Sequence, residues 1–229
     1  MRKTLIVLGV LVIAGIGAWF YFLRPLKAPT VSTGEASEGT PTPTPSQLPE
    51  GVVQFVLSSD NSEASFAVGE VLLGEKQTTT GSTKQISGEI LINTIRPQDS
   101  KIGTIKINAR TFKTDNSRRD SAIGRFILNS EQDQYEFIEF KPTTVTDLPL
   151  KLPDGSVNFK ITGDLNIAGA IKSVIFDATA QYAENTLAGN ATATIKRSQL
   201  NIKVPLSESV ASVDDNVILT INFIVPQSQ

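Results

Sequence analysis

The 229-residue sequence contains no histidine and no cysteine. Without histidine there is no imidazole base, no Ser-His-Asp triad and none of the nitrogen ligands that most zinc sites use. Without cysteine there is no disulfide framework, no thiolate metal site and no position for lipoprotein acylation. Charge of one sign is also missing. The 21 Lys and Arg against 23 Asp and Glu leave a formal net charge of −2, so phosphate neutralisation gives nucleic-acid binding no support. There is no Gly-rich phosphate loop ahead of a helix, and no carboxylate pair has the spacing of a glycosidase. These absences argue against an enzyme and call for no cofactor and no metal; what is left is a binding or a structural role.

What is present begins with an apolar run. Leu5 to Leu23 carries no charge and is long enough to cross about 30 Å of hydrocarbon as a helix. It ends in Trp19-Phe20-Tyr21-Phe22, a cluster suited to a membrane–water interface, and Arg24-Pro25 stops it. A cleaved leader, cut after Ala18, is the competing reading; the length of the run and its aromatic end favour a retained anchor over residues 1–27. The basic residues nearly balance across the run. The free amino terminus tips the count toward a cytoplasmic start, with the bulk of the chain on the extracytoplasmic side of the cell membrane. Residues 28–50 read as a linker: Gly34, Gly39 and Pro41-Thr42-Pro43-Thr44-Pro45 favour extended polyproline II at about 3.1 Å per residue and can build no core.

From residue 51 to 229 the pattern changes to short alternating segments. Val53, Phe55 and Leu57 share a face, as do Ala64, Phe66 and Val68, and Ile86, Gly88, Ile90 and Ile92. Thr78 to Ser82 reads as a polar connection. Later come Val157 to Ile167, Val174 to Tyr182, Ala191 to Ile195 and Val217 to Val225. Gly163, inside the first of these, suggests a bulge or bend. About eight strands with little helical periodicity predict an all-β domain. The pattern fits a sandwich or an up-and-down antiparallel barrel; the barrel leaves no open edges, and with eight strands it is just wide enough for a slender ligand.

The stretch from Lys101 to Phe140 organises this domain. Ile105, Ile107, Ala109 and Thr111 predict one buried strand face, with Lys106, Asn108 and Arg110 opposite; Ile138 and Phe140 predict another strand. Between them Asp115 to Asp120 is turn-prone, and Ala122, Ile123, Phe126, Ile127 and Leu128 predict a short helical or irregular plug. Arg119-Asp120 is the sharpest polar signal. Arg119 could hold a lipid head group or a quinone oxygen at a barrel mouth, although an adjacent charge pair in a turn more often satisfies nearby loop groups. Asn190-Ala191-Thr192 is a glycosylation sequon, meaningful only in a eukaryotic secretory setting.

In order and spacing, these segments resemble the YceI-like family. The resemblance is carried by Phe55 with Ser62-Glu63-Ala64-Ser65-Phe66, Gly88-Glu89-Ile90, Arg119-Asp120, Tyr135 to Phe140, Gly163 to Gly169, and Lys196 to Ile202. It implies a lipocalin-like, eight-stranded antiparallel barrel whose elongated apolar channel binds a polyisoprenoid or similar amphiphilic lipid, an isoprenoid quinone included. The family's histidine before the Ser is Asn61 here, so a contact through that imidazole is lost. With this resemblance the inward candidates for ligand contact are Ile107, Phe140, Phe159, Ile161, Phe176 and Leu219, with Phe126 and Arg119 near the mouth. The expected function is binding or carriage of a long apolar lipid by a membrane-tethered domain. The alternative is an adhesion or structural module with a filled core.

Overall fold

The computed structural model describes residues 48–205 and 210–228. The expected anchor over residues 1–27, and the linker up to residue 47, lie outside the described residues. Among the described residues no helix is long and apolar enough to cross a membrane.

The period-2 segments become eleven strands: β1 Val52–Leu57, β2 Ser62–Leu72, β3 Glu75–Thr83, β4 Ile86–Asn93, β5 Lys101–Ile102, β6 Ile105–Asn108, β7 Phe137–Thr146, β8 Val157–Ile167, β9 Ala170–Ala183, β10 Thr186–Lys196 and β11 Val210–Pro226. All pairs are antiparallel, in the order β1-β4-β6-β7-β8-β9-β10-β11-β2-β3, with β5 added to β4. The fold is therefore all-β, one curled antiparallel sheet. Its flanks approach each other at two points. Phe55 of β1 bridges Gln227 just past β11, and Ser82 of β3 bridges Lys113 beyond β6.

Two expectations change. Among the described residues the strands number eleven rather than about eight, partly because the threonine-rich segment Thr78 to Ser82 is itself part of β3. β-branched threonines fit a pleated surface, and Thr79 and Thr83 turn inward and are buried. The segment Lys101 to Thr111 is also not one strand. It breaks at Gly103 and again after Asn108, where a 3₁₀ turn over Ala109–Thr111 begins. That turn carries Asn108 and Arg110, expected on the solvent face, into the interior.

Three hairpins are two-residue turns with both central residues at positive φ: Leu73-Gly74, Ala168-Gly169 and Glu184-Asn185. This handedness matches the twist of the flanking strands. The bend expected at Gly163 lies across from it. The β7–β8 register slips between Pro142 and Thr144, opposite Gly163. A Cβ at Gly163 would stand 2.5 Å from the Lys141 carbonyl and 2.7 Å from the Phe140 ring, so only glycine lets that ring lie across β8.

Strand direction fixes two ends. β4 and β7 both run antiparallel to β6 and so finish at the same end, called upper below. The segment from Ala109 to Glu136 connects the lower end of β6 to the lower start of β7 and plugs that half. Its helix α1, Ser117–Ala122, is capped by the Asn116 side chain, which accepts from the Arg118 and Arg119 amides; a single π turn, Ile123–Ile127, follows. Ile123 and Leu128 enter the core, and Phe112 packs on Phe66 with ring centroids 5.7 Å apart.

Candidate functional site

A plugged lower half raises the question of what fills the upper half. Two facing pairs of inward positions on β9 and β10 are small there, Ala178 against Ala191 and Ala180 against Gly189, before Tyr182 and Leu187 meet at the upper end of the strand pair. These small side chains, against Phe159 and Ile161 on the neighbouring β8 and Phe176 further along β9, leave space that the core does not fill. The result is a cavity of about 110 Å³ whose lining is almost wholly carbon. Phe140 and Phe176, centroids 4.9 Å apart and inclined at 63°, form an edge-to-face pair on its wall. The upper rim comes from two connections. One is the loop after β7, through Leu148, Leu152, Pro153 and Gly155. The other is the β4–β5 connection, through Pro97 and Ser100.

Polar groups at this site are few. The Ser100 hydroxyl accepts from the Asn93 amide at 3.1 Å. The Tyr182 ring lies edge-on to Phe55, and its hydroxyl donates to the Gln227 side chain at 3.2 Å. Charges keep to the outer face. Lys160 pairs with Asp177 there, and that hydrogen bond raises the affinity of the ammonium for its proton. Among the described residues no cluster of three His, Cys, Asp or Glu side chains is placed to hold a metal ion.

The structure divides the residues singled out from the sequence. Phe140, Phe159, Ile161 and Phe176 line the cavity. Ile107 is buried and Leu219 packs on the core, but neither reaches the lining. Phe126, on the π turn, belongs to the lower, plugged half and is 41% exposed. Arg119 also belongs to that half. It pairs with Asp115 and, at 3.2 Å, with buried Glu70 on β2. Glu70 accepts from Thr79 and Gln77 as well. Asp120 accepts from both the amide and the hydroxyl of Thr114 at 2.7 Å. Arg119 thus fastens the plug to the β2–β3 hairpin, while Asp120 closes a turn within the plug. Asn61, in the place of the family's histidine, closes the β1–β2 turn by accepting from the Ser58 amide and the Ser62 hydroxyl. The alternation of Ala178, Ala180, Ala191 and Ala193 in the sequence marked strands; the signal it also held, a thinned wall, needed the pairing of β9 with β10 to be visible.

A more deeply buried polar group lies at the base of the plug. The Arg110 guanidinium meets Glu136 and Asp133 at 2.8 Å each and donates to the Ser130 carbonyl at 2.6 Å, while Asn108 donates to Glu136 at 3.1 Å. The side chains of Arg110 and Glu136 are 3% and 7% exposed. This is a closed structural knot rather than a ligand site, and among the described residues no buried side-chain nitrogen or oxygen lacks a partner.

The sequence profile of the YceI-like domain matches residues 55–225. Among solved structures, the chain resembles BcnA of Burkholderia cenocepacia at 16% identity and a TM-score of 0.59, covering 73% of this chain and 98% of that one. It resembles a polyisoprenoid binding domain from Saccharophagus degradans, implicated in plant cell wall breakdown, at 11% identity and a TM-score of 0.58, covering 77% and 99%. The YCEI protein of Campylobacter jejuni is 20% identical with a TM-score of 0.53, covering 65% and 85%. At these identities the likeness is one of fold. No curated protein matches the sequence.

Proposed function

The chain belongs to the family of YceI-like domains, and from that we propose that its hollow upper half takes up the apolar chain of a lipid, an isoprenoid or isoprenoid quinone being the preferred class. The carrying observation is the carbon-lined cavity between the aromatic wall of β8 and the alanine wall of β9 and β10. A cavity with that lining stays dry and favours an apolar guest. The related fold of a polyisoprenoid binding domain supports the choice of class. Volume sets a limit. About 110 Å³ is less than the roughly 150 Å³ cavity that takes up benzene, so it holds about one isoprene-sized group. A longer chain needs more room than that, and the rim loop over 147–156, which supplies Leu148, Leu152 and Pro153 to the lining, must give way to admit it. The role is binding or carriage rather than catalysis, by a domain tethered on the extracytoplasmic side through Leu5 to Leu23.

Organic extraction of the purified protein, followed by mass spectrometry, tests this directly, together with uptake of an isoprenoid quinone from detergent. The expected result is a stoichiometric isoprenoid in the extract, or saturable uptake by the stripped protein. An empty extract and no uptake would leave an adhesion or structural module as the better reading.

A further inference from the structure

The cavity opens toward one end of the curl, and that end carries exposed apolar side chains at separate loop tips. Leu150, on the loop that supplies Leu148, Leu152 and Pro153 to the rim, is 78% exposed, and Ile95, in the connection that supplies Pro97, is 60% exposed. The chain enters the domain at the same place. β1 begins opposite the end of β4, the Thr94 amide donates to the Gly51 carbonyl at 2.7 Å, and exposed Leu48 stands just ahead of it. We propose that this rim docks on the surface of a lipid bilayer, with Leu150, Ile95 and Leu48 entering the interface, so that the cavity opens onto the membrane.

Three observations choose a bilayer as the occupant. The apolar residues stand on distinct loops around an opening rather than on one flat face. A protein partner would need about 1,000 Å² of complementary surface, whereas a bilayer accepts protruding side chains without a matching shape. The rim charges carry no positive excess. Arg96 pairs with Asp99 at 2.9 Å, and the two remaining cations, Lys101 and Lys151, are outnumbered by Glu50, Asp147 and Asp154, so the rim has no basic excess and the contact is apolar rather than an attraction to anionic lipid. Finally, the 47 residues before Leu48 include the uncharged run Leu5 to Leu23, so the tether reaches the domain beside its rim. The opposite end supplies an internal control. Leu73, at the tip of the β2–β3 hairpin, is 76% exposed but lies at the plugged end.

The inference rests on the lipid-binding reading only for the purpose of the contact; its observations are separate, and so is its test. The solved chains of like fold are covered to 98% and 99% by this domain, so each is little more than the domain itself; residues 48–229 are therefore taken alone, with a cooperative thermal unfolding transition as the check that they fold. The one Trp of the chain, Trp19, is then removed, and L150W or L73W introduces a unique reporter. With phosphatidylcholine vesicles at millimolar lipid, L150W emission should shift to the blue and be quenched by brominated acyl chains, while L73W should not change. The double variant I95D/L150D, altered only at exposed loop positions, should lower vesicle partitioning at least about tenfold, since each change replaces an aliphatic side chain that enters the interface by a charge that stays in water. Raising the salt should leave binding unchanged. An equal response from L73W, no response from L150W, or binding that needs anionic lipid and disappears in salt would each overturn the docking. A domain that takes up isoprenoid from detergent yet ignores vesicles would retain the cavity's function and lose only its docking.

Discussion

At the scale of single residues, burial ranks the polar groups differently from their prominence in the sequence. Arg119-Asp120 stands out as an adjacent charge pair in a turn-prone run, and both residues are used locally, by the plug and the β2–β3 hairpin. Arg110 reads as one more polar position on an alternating strand, yet it is the cation at the base of the plug. Removing one member of a buried pair leaves the other charge uncompensated, at a cost of about 3–5 kcal/mol. Arg110→Ala should therefore lower stability by about that much in urea denaturation. Arg119→Ala should cost about 1 kcal/mol, because Glu70 retains its Thr79 and Gln77 donors. Equal losses for the two variants would contradict this ranking. The reason the sequence could not supply it is distance along the chain. The partners of Arg110 lie 20 to 26 positions ahead in a plug with no regular period, and only the 3₁₀ turn after Asn108 turns the guanidinium toward them.

Among the elements, the strands from β7 to β11 were the most legible, since Phe159, Ile161, Phe176, Ala178 and Leu219 recur with period 2, even though exposed Ile175 and Ile218 interrupt the polar outer face. The connections were less so, because their geometry depends on single hydrogen bonds. The short 3₁₀ turn Arg197–Leu200 after β10 is an example. The Arg197 guanidinium donates to the carbonyls of Ile202, Val213 and Asp214, and the Asp215 carboxylate accepts from both the amide and the hydroxyl of Ser198. Asn201, at φ 55°, ends the turn in the left-handed region that Asn tolerates. Donation from Ser198, first from its amide and then from its hydroxyl, holds the Asp215 carboxyl below the ordinary carboxylate value. A depressed carboxylate stabilises the fold above its unfolded-state value, and that contribution is lost as pH falls through the lowered one. Asp215→Asn should accordingly melt below the parent at neutral pH, and the gap between their melting temperatures should close in acid. A gap that persists unchanged at low pH would mean that the ionised carboxylate is not what holds the turn.

For the molecule as a whole, the division into a plugged lower half and a hollow upper half decides what the fold can do. Alternation in the sequence marks which face points inward, but it is blind to depth along the curl. Ile107 and Leu219 share the inward face with Phe159 and Phe176, yet only the latter two line the cavity. The cavity arises from register, which sets Ala178 against both Phe159 and Ala191, and no single strand contains that information. The same register identifies the position where the hollow can be closed. Ala178 is inward on the cavity wall, while Thr179, one residue on, faces outward and donates to Asn158 at 2.7 Å. Ala178→Trp should place an indole in the space a guest would take, and Thr179→Trp should leave that space open. A ligand at 100 times its Kd stabilises the folded state by about 2.7 kcal/mol, and each kcal/mol raises the melting temperature of a domain this size by about 2–4 °C. An isoprenoid quinone should thus raise the melting temperature of the parent domain and of Thr179→Trp by roughly 5–11 °C. Ala178→Trp should still unfold cooperatively but show no such rise. If it gains as much from the ligand as the parent does, the guest lies somewhere other than the space between β8, β9 and β10.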